Sequence, residues 1–82
     1  MTLFQWMSLD TDKIDDAVLA LLLLGLHDGC RAWKGFDWVA MDRLHEKGYI
    51  SDPRSKAKSV VFTDEGQQRA EQLLKELFAK RA

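Results

Sequence analysis

Three stretches of this 82-residue chain place apolar residues at helical spacing, separated by short β-branched or aromatic runs with turn residues at their ends. The first stretch is the densest, ten apolar positions from Ala17 to Leu26 with Gly25 among them. At 100° per residue, Ile14, Val18, Leu21 and Gly25 fall on one side of a helix, and Leu19, Leu23 and Leu26 on nearly the opposite side. Asp10 and Thr11 are capping types, Asp12, Asp15 and Asp16 suit the positive end of a helix dipole, and Gly29 suits a helix terminus. The pattern therefore predicts a first helix from Asp12 to His27. An apolar surface on both sides means burial on both sides. In so small a domain the second side needs the N-terminal segment, the last helix or a partner chain.

Cys30 to Gly35 is too short for a helix and reads as a brief strand ending in a turn. Asp37 then caps a second helix, predicted from Trp38 to Lys47 and closed by Gly48 in the left-handed conformation. Its apolar arc is Trp38, Met41 and Leu44, with Val39, Asp42, Arg43, Glu46 and Lys47 opposite. Tyr49 to Ser51 and Ser59 to Phe62 read as two antiparallel strands of a hairpin, joined through the turn chemistry of Asp52-Pro53-Arg54-Ser55. Thr63 caps a final helix whose stripe is Ala70, Leu73, Leu74, Leu77 and Phe78. Glu71 with Lys75, and Glu76 with Lys80, have the spacing and order of favourable helical ion pairs.

Composition bounds the rest. Eighty-two residues suit one domain, and 46% hydrophobic with 30% charged residues is ordinary for a globular chain. We expect residues 1–9, with Phe4 and Trp6, to form an apolar arm and residues 10–82 to form the domain. The single cysteine, Cys30, cannot make an internal disulfide. The ten-residue apolar run is half of what a bilayer span needs, and the aspartates before it do not suit a secretory signal, so a prokaryotic cytoplasm is the default expectation. Net charge is −1 but unevenly spread, with −4 over residues 1–28 and +3 over residues 29–63. A phosphate-binding surface would belong in the middle third.

The order helix, Gly, apolar pair, basic turn, apolar strand, Thr-x-x-Gly, helix resembles the winged-helix domains of bacterial regulators. The resemblance is carried by Met41, Leu44, Gly48, Tyr49, Ile50, Val60 to Thr63 and Gly66, within residues 37–80. It implies an α+β domain in which the helix ending at Gly48 would read DNA and the hairpin after it would be the wing. The sequence departs from that pattern in one place. Between His27 and Asp37 no positioning helix fits, so the helix-turn-helix is degenerate. The stretch from Asp10 to Gly66, with Arg31 to Trp38, also resembles a family of small bacterial proteins of unknown function.

Candidate chemistry is sparse. For DNA the cations are Arg43 and Lys47 on the second helix and Arg54, Lys56 and Lys58 on the hairpin. The helix carries more acids than bases, which opposes entry into the phosphate field. His27 and Cys30 fall short of a zinc ligand set and have no oxyanion hole beside them, and they read as a helix terminus and a small buried hydrophobe. Neither a catalytic group nor a cofactor, metal or small-molecule site is expected. Trp33, Phe36 and Trp38 read as core packing under the helix junction, but with Phe4 and Trp6 they exceed what so small a core easily hides, so some should line a partner surface. The leading expectation is a non-catalytic interaction module that self-associates, as a homodimer or with another protein. Its interface would be drawn from Phe4, Trp6, Leu19, Leu23, Leu26, Leu73, Leu77 and Phe78. The alternative is a DNA-binding regulator acting weakly through a basic wing.

Overall fold

Helix α1, Thr11–Leu22, begins where Asp10 accepts a hydrogen bond from the Lys13 amide at 3.1 Å. The computed structural model describes residues 8–80, so Phe4 and Trp6 lie outside the described residues. Helix α1 ends five residues before the expected His27. A 3-10 turn, Leu23–Gly25, leads into strand β1, Leu26–His27, and the chain then reverses to strand β2, Arg31–Trp33. The reversal is set by Asp28 and Gly29, whose φ angles of 49° and 82° both lie in the left-handed region. Asp and Gly tolerate that region better than other residues, and an Asp-Gly pair is a strong hairpin signal. Leu26 pairs with Ala32 and His27 with Arg31. A hairpin occupies the place where a positioning helix would sit.

Helix α2, Trp38–Glu46, is capped by Asp37, which accepts from the Ala40 amide at 3.1 Å. It closes at Gly48 with φ 83°, where the Gly48 amide donates to His45 and the Tyr49 amide donates to Leu44, the expected glycine-terminated ending. Its inward arc is Ala40, Met41 and Leu44 rather than Trp38, Met41 and Leu44. Strand β3, Ser59–Val61, also departs from expectation. Its main partner is β2, with Arg31 opposite Val61 and Trp33 opposite Ser59, giving an antiparallel sheet in the order β1-β2-β3. The Tyr49–Ser51 segment contributes only one bridge, Ile50 to Phe62, with the Ser51 amide donating to the Val61 carbonyl. The turn at residues 52–55 forms as expected, with Arg54 donating its amide to the Asp52 side chain at 2.9 Å.

Helix α3, Asp64–Phe78, starts at Thr63, whose hydroxyl accepts from the Gly66 amide and donates to the Gly48 carbonyl. That one side chain joins the end of α2 to the start of α3. The architecture is α+β: three helices and a small antiparallel sheet. Leu19 and Leu22 from α1, Met41 and Leu44 from α2, Ile50, Val60 and Phe62 from the strands, and Leu73 from α3 meet in one core. No described helix is long and apolar enough to cross a membrane.

Candidate functional site

Helix α1 packs against both α2 and α3 of its own chain, and this decides which expected surfaces stay exposed. Asp15, Leu19 and Leu22 recur at i, i+4 and i+7, and all three are buried. Leu19, expected at an interface, is 0% exposed, and Leu73 on α3 is 2% exposed. Both belong to the chain's own core and are out of a partner's reach. Leu23 packs partly buried against that core. Two-sided burial of α1 is thus met within one chain along most of its length.

The cations expected to meet DNA are engaged elsewhere. Arg43 donates from Nε to both carboxylate oxygens of Asp15, at 2.9 and 2.8 Å, and its Nη2 lies 2.7 Å from Oδ1. Lys47 reaches the other side of the same carboxylate at 2.9 Å and Asp12 at 3.1 Å. The Asp15 side chain is only 1% exposed, so this is a clasp between α1 and α2 rather than a surface pair. Arg54 bonds Asp42 at 2.9 Å across the surface. Lys34 donates to the carbonyls of Pro53 and Ser55, holding the turn, with its ammonium 5.9 Å from the Trp38 ring centre. Of the five expected phosphate contacts, Arg43, Lys47 and Arg54 are bound within the molecule. Lys56 and Lys58 are exposed.

Burial by itself would raise the Asp15 carboxyl, but the hydrogen bonds and charges of Arg43 and Lys47 outweigh it and hold the group below the ordinary carboxylate range. The same contact with Asp15 raises the Lys47 ammonium above its ordinary range. A carboxyl depressed in the folded state contributes stability above its unfolded value of about 3.9, lost as pH falls through the folded value. A raised lysine contributes below its unfolded value of about 10.4, lost as pH climbs through the folded one. Denaturation across pH should therefore show a plateau falling at both ends. The stability gap between the wild type and Asp15→Asn should close at strongly acidic pH, and a gap of constant size would contradict the clasp.

The histidines each turn Nδ1 to a backbone carbonyl, His27 to Gly25 and His45 to Ile50, both at 3.0 Å. His27 also stacks on Trp33, with ring centres 4.2 Å apart. Among the described residues no three His, Cys, Asp or Glu side chains gather as a metal site would require. Trp33 and Trp38 are 58% and 59% exposed, so their expected place in the core is corrected. On β2, Trp33 follows the alternation of the strand: Ala32 faces inward, and Arg31 and Trp33 face out. Trp38 stands at the first position of α2, beside Phe36 and Pro53.

What remains is an apolar face at the far ends of α1 and α3. Leu24 is 71% exposed, and Leu77 and Phe78 are about half exposed. Leu21, Leu24, Leu74 and Phe78 line one groove, with Lys75 at its edge, and Leu77 lies on the other flank of the same helix end. Leu26, expected here, is partly exposed on β1. Leu21, Leu24 and Leu74 are the members that sequence reasoning left out. A clean stripe pointed to Leu74, but in the unbroken apolar run nothing marked where α1 would stop and change direction.

A protein of Sinorhizobium fredii (strain NBRC 101917 / NGR234), described as "Uncharacterized protein y4hR", is 61% identical to this chain over 74 residues, which is 90% of this chain and all of that protein. No solved structure is a significant match. A family model, "Domain of unknown function (DUF6429)", matches residues 10–80, which span the clasp, the sheet and the apolar face. With the match covering all but the two ends, the chain belongs to the DUF6429 family.

Proposed function

We propose that this chain is a non-catalytic protein-interaction module that self-associates through the face formed by the end of α1 and the C-terminal half of α3. The observation that carries the reading is the apolar groove of Leu21, Leu24, Leu74 and Phe78, open to solvent beside Leu77. A fully buried leucine or phenylalanine is worth about 1.5–3 kcal/mol relative to an exposed one. Burying several such side chains against a second copy about a twofold axis offsets the cost of association. Among the described residues nothing covers this face, whereas the rest of α1 packs into the chain's own core. The order of elements supports a winged-helix-like reading of the fold, with hairpin β1–β2 in place of a positioning helix. DNA binding through the wing has less behind it, since Lys56 and Lys58 alone of the five expected cations lack an internal partner in the ion pairs and hydrogen bonds described above.

Light scattering after gel filtration at micromolar to millimolar concentration tests the reading. The wild type should approach twice the chain mass of 9.4 kDa. Leu24→Glu and Phe78→Glu should each shift it to monomer while leaving helix content unchanged, because both positions are already exposed. A wild type that stays monomeric throughout would overturn the proposal.

A further inference from the structure

The flank of α3 that borders the groove carries its charges in two halves. At 100° per residue, Gln67, Glu71, Leu74, Lys75 and Phe78 lie within about 100° of one another around the helix axis. Toward the N-terminus this flank is polar and acidic, with Asp64, Gln67, Gln68 and Glu71 lining one shallow depression. Toward the C-terminus it is apolar and basic, with Leu74, Lys75 and Phe78 lining the other. Glu71 and Lys75 have the spacing of an intrahelical pair, yet neither takes part in any ion pair among the described residues. Both are exposed. The flank therefore presents an acid and a base, each without a charged partner, on either side of a leucine.

We infer that a second copy docks with its α3 antiparallel to this one, so that Glu71 of each chain faces Lys75 of the partner subunit about a twofold axis near Leu74. A parallel arrangement would set glutamate against glutamate and lysine against lysine across the axis. The antiparallel one joins opposite charges twice and keeps Leu74 beside its own symmetry mate. It also lays each Phe78 along the aliphatic stems of Gln67 and Gln68 of the partner subunit. Helix dipoles oppose one another in this arrangement, which favours it slightly. This inference rests on the self-association proposed above and adds its orientation.

Sedimentation equilibrium on the full chain tests it with Glu71→Lys, Lys75→Glu, the double variant, and an equimolar mixture of the two single variants. Each single variant creates two like-charge contacts and should weaken its homodimer about tenfold. The double variant should return to within about threefold of the wild type. The mixture should form a heterodimer tighter than either single variant alone, because one chain is then basic and the other acidic at both positions. Circular dichroism of each variant should match the wild type, as both positions are exposed. A wild-type dimer indifferent to both single changes, or single losses without recovery in the double variant and the mixture, overturns the antiparallel orientation and leaves association standing. A wild type that never dimerises overturns both.

Discussion

Replacing Gly66 with alanine is expected to destabilise the domain by about 2–3 kcal/mol, against a helix propensity that alone favours the change by roughly 1 kcal/mol. The sign follows from how α3 enters the fold. Thr63 fixes the first turn by accepting the Gly66 amide and donating to Gly48, which draws the helix against the backbone of residues 48 and 49. A Cβ at position 66 would fall inside the Tyr49 carbonyl, with the Tyr49 carbonyl carbon at 2.6 Å and Cα at 2.8 Å. These are backbone atoms between the end of α2 and the Ile50 bridge, so they cannot rotate aside as a side chain would. Relief requires α3 to shift, and with it Ala70 and Leu73, which are buried in the core. A domain of this size is expected to hold roughly 4–12 kcal/mol in total. Urea denaturation should register a clearly lower midpoint for Gly66→Ala, and an unchanged or higher midpoint would show that the approach is looser than described.

A loss of similar size is expected for Asp15→Ala, about 2–3 kcal/mol, for a different reason. Asp15 is the buried member of the clasp, and its carboxylate answers Arg43 and Lys47 together. Removing it leaves Arg43 without its ion-pair partner next to an apolar core and Lys47 with only the exposed Asp12, and leaves a hole where the carboxylate stood. Both cations are partly solvated, with side chains 26% and 33% exposed, which moderates the cost. The converse change separates clasp from shape. Because buried ion pairs are replaceable by apolar groups of similar volume, Asp15→Leu combined with Arg43→Met and Lys47→Met should recover much of what Asp15→Ala loses. A denaturation series showing Asp15→Ala within experimental error of the wild type would contradict the clasp.

The legible parts of the fold were those set by local chemistry. Asp37, Gly48 and Thr63 each act within a few residues, and each appears where capping rules place it. The Asp52 turn is of the same kind. The end of α1 was not legible, because in a run where every residue is apolar no phase distinguishes a helix from a helix that stops. Asp28-Gly29 could be read as a helix terminus or as a hairpin, and pairing with a strand five residues away decided it. The candidate site divides in the same manner. Arg43 and Lys47 lie on the polar face of α2, and nothing local reveals a carboxylate 28 positions earlier in the chain beneath them. Asp15 in turn looked like one of several acids at a helix start. Leu77 and Phe78 were legible as a stripe, whereas Leu19 was assigned to an interface and is fully buried in the chain's own core. The association face proposed above therefore differs from the expected one: it lies at the end of α1 rather than at its middle.

Amide chemical shifts recorded by NMR over a concentration series report which face of the chain responds as copies meet. Self-association through the proposed face predicts shift changes that grow with concentration and gather at Leu21, Leu24, Leu74, Leu77 and Phe78. The loop around Lys56 and the exposed Trp33 and Trp38 should stay constant. Changes confined to those tryptophans or to that loop, or spectra that do not depend on concentration, would contradict it.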